Sequence, residues 1–318
     1  VITPVKKLKT VHVIVNPIAG KKKESTPEVI REAMERAGIV VVLSTTEGAG
    51  DALRFAKEAV ESGADAVAVC GGDGTVLEVG NGLVESDIPL LILPGGSANV
   101  LATELGIPKS VEEACGILAE SRYEIRSIDA ARFHKGCFFG RAALGFEADM
   151  VRSADRKTKN RFGVLAYFVA GLRALKKLRL AEYTIRIDGE DYFTRGLTCI
   201  VTNAGNLGFS RVSLDKNVDV SDGLLDVIVV KKASLGLVGH IAATFWRGER
   251  ADNWDLVAHW QGKDIHVTSK PRQRLECDGE MFDNAPFHAQ VIAGGLRMVV
   301  PKAAPKLEET PAVADAAV

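Results

Sequence analysis

The apolar positions of this chain change their period partway along. Through the first third, short unbroken apolar runs alternate with segments whose apolar residues recur every three or four positions. VHVIVN (11–16) predicts a buried strand, PEVIREAMERAG (27–38) a helix closed by Gly38, and IVVVLS (39–44) the next strand. DALRFAKEAVESG (51–63) sets Leu53, Ala56 and Val60 on one helical face and leads into strand AVAVC (66–70). A short helix from about Thr75, strand PLLIL (89–93) and helix VLATELG follow. Such alternation predicts an α/β unit with a parallel sheet, helices on both faces and ligands at the carboxyl ends of the strands.

Beyond about Asp129 the period shortens to two. RSIDAARFHKGCFFGRAALGF reads as strands joined by a turn, and YTIRIDGEDYFTRGLTCIVTNAG as a hairpin about Asp188-Gly189. LLDVIVVKK, KDIHVTSK and RQRLECDGE continue the pattern, interrupted by helical patterns at 163–178 and 234–246. The expected organisation is an α/β domain over 1–129, a β-rich domain over 130–293 and a disordered Pro/Ala-rich tail over 303–318. Residues 294–302, the end of FHAQVIAGGLRMVV and its flank, either complete the β-rich sheet or return to the first domain.

Composition narrows the function classes. A chain of 318 residues with 47% hydrophobic and 25% charged residues is long enough for two ordinary globular domains. Its net charge of −1 supplies no general field for nucleic acid. The five cysteines are widely spaced, without C-x-x-C pairs or clustered histidines, which argues against a disulfide framework and a zinc site and for a reducing, cytoplasmic compartment. VITPVKKLKT lacks a secretory apolar core, so any membrane contact is expected to be peripheral. The stretch 152–180, with basic residues around an apolar middle, suits anionic lipid headgroups and equally suits an ordinary packed amphipathic helix. His12, His134 and His240 are expected in packing or surface roles, and Trp246, Trp254 and Trp260 in packing by default, with the lining of a lipid entrance as the alternative. Oligomeric state stays open.

The loops carry the chemistry. In Gly71-Gly72-Asp73-Gly74-Thr75 the glycines let backbone N–H groups approach phosphate oxygens, and the helix that follows adds unpaired N–H groups. Asp73 would repel a bare phosphate and makes sense with Mg²⁺ between them; the plain alternative is a tight strand-to-helix turn. Neither a P-loop nor a dinucleotide fingerprint is present. LPGGSANVLATELGIP (93–108) repeats the device, with Gly95, Gly96, Ser97 and Asn99 ahead of a helix that can hold another part of the same ligand or simply be capped. Asn16 and Gly20, in NPIAGKKK, form a third loop on this edge. An isolated DGE is ordinarily a turn, and Asp219-x-x-Asp222-Gly suits either a metal loop or a solvated turn.

VNPIAG, GGDGTVLEVGNGL, PGGSANVLATELGIP, DGLLDV and CDGE, in this order across nearly the whole chain, resemble the bacterial diacylglycerol kinase-like lipid kinases, kin to the sphingosine and ceramide kinases. GGDGT alone is shared with NAD kinases and phosphofructokinase-like enzymes. The resemblance implies a Rossmann-like nucleotide-binding domain of phosphofructokinase/NAD kinase type, a lipid-binding β-sandwich domain and an active site between them. It implies that Gly71, Gly72, Asp73, Gly74 and Thr75 cradle the phosphates of ATP, Asp73 acting through Mg²⁺. Asn16, Thr46 (or Thr45), Ser97 and Asn99 become further nucleotide contacts, and Glu280 of CDGE the general base. Asp219, Asp222 and the Leu224 carbonyl match a second, structural metal site, and Asp129 joins the network around the catalytic metal. The implied reaction is transfer of the γ-phosphate of ATP to the hydroxyl of a membrane lipid; the alternative is a soluble substrate, as in NAD kinases. A free carboxylate with a pKa of ~4.3 is a weak base towards an alcohol near ~15.7, so Glu280 would orient the hydroxyl and take its proton late. Val100 departs from members that carry an acid after the loop asparagine, which loosens the link to diacylglycerol in particular.

Overall fold

The computed structural model describes residues 8–19, 26–96, 99–119, 122–145, 180–204, 219–231, 257–282 and 286–302. The helical patterns at 163–178 and 234–246, the stretch 152–179, His240, Trp246, Trp254 and the tail 303–318 lie outside the described residues.

The first part of the chain forms strands β1 (Thr10–Val15), β2 (Val40–Thr45), β3 (Ala66–Gly71) and β4 (Leu90–Pro94), parallel and ordered β2-β1-β3-β4. Between and after them come helices α1 (Thr26–Arg36), α2 (Asp51–Glu61), α3 (Asp73–Leu83), α4 (Val100–Glu104) and α5 (Val111–Ala119). The inner strands β1, β3 and β4 are buried almost throughout, which is why they read as unbroken apolar runs; the edge strand β2 is only partly covered. Helix α1 packs beside α5, and α2 beside α3.

The second part is built from β5 (Tyr123–Phe133), β6 (Gly136–Phe138), β7 (Arg141–Gly145), β8 (Ala181–Ile187), β9 (Glu190–Gly196), β10 (Thr198–Thr202), β11 (Leu225–Val230), β12 (Val257–Gly262), β13 (Asp264–Lys270), β14 (Leu275–Cys277), β15 (Glu280–Phe282) and β16 (Phe287–Pro301). The β8–β9 hairpin turns at Asp188-Gly189, both at positive φ, as the D-G signal predicts. Strands β12-β11-β10-β7-β14-β15 form one antiparallel sheet. Its inner face shares a core with the other sheet, in which Leu144, Cys199, Val201 and Val227 pack with Tyr183, Ile185, Ile265, Val267 and Phe287. This is a β-sandwich.

The strand β16 does both things its sequence allowed. Phe287–Gln290 pair with β13 in the sandwich, and most of the strand runs antiparallel to β5. Near its end Met298 pairs in parallel with Leu90 of β4, so one sheet, β2-β1-β3-β4-β16-β13-β8-β9, runs through both parts. Asp129, at the expected junction of the two domains, lies inside β5 and is buried. Its Oδ2 accepts the Gly223 N–H at 2.6 Å, its Oδ1 the Gly294 N–H at 2.7 Å, and its backbone N–H donates to the Val220 carbonyl at 2.7 Å. Gly294, at φ 62°, sits in the bulge between Ile292 and Leu296 that frees this amide from the ladder.

The five cysteines are buried as free thiols. Desolvation pushes the Cys70 thiol to about 11 and Cys115 to about 12. His12 is buried in β1 against Ser44 Oγ (2.8 Å), and burial lowers its pKa. His134 occupies the turn between β5 and β6, and Trp260 packs on Tyr192 with ring centroids 5.5 Å apart. Among the described residues no helix is long and apolar enough to cross a membrane.

Replacing Asp129 with Ala removes the acceptor of the part-buried amides of Gly223 and Gly294. A loss of about 1–3 kcal/mol of unfolding free energy is expected, measured by urea denaturation; an unchanged midpoint would show that Asp129 does not hold these segments together.

Candidate active site

Strand order places the switch point of the parallel sheet between β1 and β3. The residues after these strands meet there. Asn16 Nδ2 donates to Thr75 Oγ1 at 2.9 Å, and the Asn16 N–H donates to the Cys70 carbonyl at 2.9 Å. Asn16 Oδ1 accepts the Ile18 N–H at 3.0 Å. Asn16 therefore locks its own loop to the β3–α3 turn, and Thr75, 8% exposed, serves that lock rather than facing solvent.

The glycines of the turn answer to packing, not to handedness. None of Gly71, Gly72 and Gly74 has a positive φ, but a Cβ on Gly71 would lie 2.7 Å from Thr75 Cβ. A Cβ on Gly95 would lie 3.1 Å from the Gly71 nitrogen, and one on Gly96 only 2.6 Å from Gly72 Cα. The two glycine loops thus run backbone against backbone, joined by the Gly95 N–H to Gly71 carbonyl bond at 3.0 Å. Gly74 is different: it is exposed, with nothing within 4 Å of the position a side chain would take.

Helix α3 begins at Asp73, two residues before the position expected near Thr75, because Gly72 is extended and acts as the N-cap. The first α-helical bond runs from the Val76 N–H to the Gly72 carbonyl at 3.0 Å. Asp73, Gly74 and Thr75 then head the helix, where N–H groups have no i−4 carbonyl of their own. The Asp73 carboxylate also reaches the second loop. Its Oδ2 accepts the Asn99 N–H at 3.1 Å and its Oδ1 the Val100 N–H at 2.7 Å. The amino end of α4, a five-residue helix, is therefore taken by Asp73. Since it is the Val100 backbone that Asp73 uses, an apolar side chain at 100 does not disturb the contact. Asn99, at φ 49°, folds its side chain back on Gly96, accepting from its N–H at 3.2 Å and donating to its carbonyl at 2.9 Å.

Thr46 is buried after β2, its N–H donating to the Val15 carbonyl at 2.9 Å, whereas Thr45 is exposed. Gly50, the N-cap of α2, donates its N–H to Glu78 of α3 at 3.0 Å, which ties the 46–50 loop to the same helix. Ser97 and Gly20 lie outside the described residues.

The acidic loop 219–224 belongs with Asp129. Asp219 Oδ1 accepts the Ser221 N–H (3.0 Å) and hydroxyl (2.7 Å), Asp222 Oδ1 accepts the Leu224 N–H (2.9 Å), and Gly223 is the amide held by Asp129. Burial and the neighbouring charges of Asp226, Asp219 and Asp129 push the Asp222 pKa up, against the pull of the Leu224 amide.

In CDGE the residue that organises the site is one the sequence reading passed over. Asp278 accepts the N–H groups of Phe139 (2.8 Å), Gly140 (3.1 Å) and Arg141 (2.8 Å), and Gly140 must lack a side chain because a Cβ would sit 2.6 Å from Asp278 Oδ1. Asp278 (φ 45°) and Gly279 (φ 92°) make the turn that presents Glu280, exposed at the start of β15. The D-G pair signalled the turn; the partners of its aspartate lie too far away in sequence to be read. This platform reaches the nucleotide-type loops through α3. The Phe139 ring packs where a Gly80 side chain would be (2.5 Å), and Asn81 exchanges hydrogen bonds with the Cys137 carbonyl (2.9 Å) and N–H (2.7 Å). One helix, opening at Asp73 and closing beside Phe139, therefore joins the glycine loops to the Glu280 turn.

Two family models cover the chain. The diacylglycerol kinase catalytic domain matches residues 10–133, and the YegS C-terminal NAD kinase beta sandwich-like domain matches residues 140–300. Among relatives, an uncharacterized protein of Synechocystis sp. is 31% identical, over 93% of this chain and 71% of that protein. The diacylglycerol kinase of Bacillus subtilis is 29% identical, over 93% of this chain and 97% of its own. A solved diacylglycerol kinase from Bacillus anthracis superposes with a TM-score of 0.72 at 25% identity, covering 93% of this chain and 98% of that one. The two matches join an α/β lobe headed by glycine loops to a β-sandwich bearing CDGE; the chain belongs to the diacylglycerol kinase family and is a kinase.

Proposed function

We propose that this kinase transfers the γ-phosphate of ATP to the hydroxyl of a membrane lipid, with Mg²⁺ as its cofactor. The observation that carries the reading is the open head of α3: Gly74 is exposed and unobstructed at the switch point of the sheet, where the first N–H groups of the helix have no i−4 carbonyl of their own. Phosphoryl transfer asks for positioning and charge neutralisation more than for covalent help. The N–H groups of the α3 head hold the phosphates, and the locked loops at 16, 71–75 and 95–96 keep that head rigid.

Asp73 suits a metal-facing role as well as its structural one, since each carboxylate oxygen holds one amide and has a further lone pair. Asp219, Asp222 and the Leu224 carbonyl are hard oxygen donors on one short loop, and the raised Asp222 pKa marks a place short of positive charge, which fits Mg²⁺. Bound there or at Asp73, the ion supplies neutralisation of oxygen charge. Glu280 orients the acceptor hydroxyl and receives its proton late in the transfer. Asp278 sets the position of Glu280 by fixing the turn.

A lipid acceptor is supported by the B. subtilis relative being a diacylglycerol kinase and by Met281, 40% exposed beside Glu280. Residues 152–180 are the proposed membrane-facing stretch, with their basic and apolar residues. The description of the second family model, which names NAD kinase, supports NAD as a rival acceptor.

Radiolabelled ATP supplied with diacylglycerol, sphingosine, ceramide and NAD is expected to label a lipid; label in NADP alone would sink the lipid reading. Glu280→Gln is expected to lower turnover by about 10²–10⁴-fold with the ATP dissociation constant nearly unchanged, and normal turnover would remove Glu280 from the mechanism. For the acidic loop the sign follows from the raised Asp222 pKa. Without metal, the folded state holds this proton more tightly than the unfolded chain, so the loop's contribution to stability falls as pH rises through that pKa. Mg²⁺ competes with the proton, so the rise in Tm on adding Mg²⁺ should be larger at neutral than at mildly acidic pH and should vanish in Asp222→Asn. An Mg²⁺ shift of equal size at both pH values, or one retained in the variant, would refute this ligand set.

A further inference from the structure

Two histidines that lie apart in the sequence, His266 and His288, meet on the outer face of the sandwich. His266 of β13 and His288 of β16 are direct cross-strand partners, and Asp264 and Gln290 form the next pair but one along the same ladder. The two imidazole rings stack with centroids 3.8 Å apart and planes 9° from parallel. Both Nε2 atoms converge on one carboxylate oxygen: Asp264 Oδ1 lies 3.0 Å from His288 Nε2 and 3.1 Å from His266 Nε2. Asp264 Oδ2 is held by Gln290 Nε2 at 2.6 Å. These side chains are half exposed, so an ion and its water can reach them. The absence of clustered histidines in the sequence is thus corrected: strand pairing, not chain spacing, assembles the cluster.

We propose that Asp264, His266 and His288 form a binding site for a zinc-class divalent ion, separate from the kinase site. Two imidazole nitrogens and one carboxylate are the donor set of borderline ions such as Zn²⁺, whereas Mg²⁺ favours all-oxygen sites. Bonds of about 2.0–2.1 Å in a tetrahedron put neighbouring ligand atoms about 3.3 Å apart, so the two nitrogen–oxygen edges of this cluster need open only slightly. The rings themselves must turn out of their parallel stack, because an imidazole lone pair lies in the ring plane and both have to point at one ion. Gln290 supplies the outer hydrogen bond that orients a ligating carboxylate. The nearest cross-strand cation, Arg186 opposite His266, is committed to Asp191 through bonds of 2.7 and 2.9 Å, which offsets its charge. The remaining positions of the ion are left to water. Bound there, the ion pins β13 to β16 where the shared strand enters the sandwich.

Calorimetric titration of the full chain with ZnCl₂ in Mg²⁺-containing buffer tests this, alongside thermal unfolding. The buried cysteines do not compete in the folded protein. One Zn²⁺ per chain and a Zn²⁺-dependent rise in Tm are expected; His266→Gln and His288→Gln should each abolish both, and Gln290→Ala should weaken binding by about tenfold. Both histidines are surface residues, so the variants should keep the metal-free Tm. No saturable uptake by the parent chain, or uptake by either histidine variant equal to that of the parent, would overturn the proposal. Because the readouts are binding and Tm, its failure would leave the kinase reading untouched.

Discussion

Carboxylates that spend both oxygens on backbone amides hold this molecule together. Asp129 joins β5, the acidic loop and the bulge of β16, three segments far apart in sequence, at one buried point. Asp278 does the same for the 139–141 loop and the Glu280 turn, and Asp73 for the two glycine loops. Each captures N–H groups that loop geometry leaves without a ladder or helix partner, and buried amides of that kind are costly to leave unmade. The turns that carry Asp73, Asn99, Asp222 and Glu280 are fixed by these captures, since the strands set only the approximate ends of the loops.

Much of the fold was legible because its periods are clean. The buried parallel strands read as apolar runs, the sandwich strands alternate, and Asp188-Gly189 gives its hairpin turn at once. What escaped was non-local. The pairing of β16 with β4 on one side and β13 on the other is a property of the assembled sheet, as is the meeting of His266 with His288. The start of α3 moved from Thr75 to Asp73 because an extended Gly72 caps it, a backbone choice that a Gly-rich stretch does not advertise.

The site was legible as a set of motifs and less so as a division of labour. Asn16 and Thr75, read as ligand contacts, bond to each other. Gly95 and Gly96 let two backbones touch and Gly71 makes room for the Thr75 side chain, whereas Gly74 has open space before it. The glycine-rich stretch of this chain is therefore a composite, in which most of the motif builds a rigid frame and Gly74 leaves open space. The acid in the motif has a structural occupation whether or not a cation is bound.

The burial of every thiol has a consequence for handling the enzyme. A thiolate is the reactive form, and desolvation suppresses it at Cys70 and Cys115 while packing denies reagents access to all five sulfurs. Alkylation of the native protein would then proceed only through transient openings, so its rate reports conformational breathing rather than active-site chemistry. Because Cys70 and Cys115 belong to the α/β lobe and Cys199 and Cys277 to the sandwich, the order in which they are modified would rank the resilience of the two lobes from within.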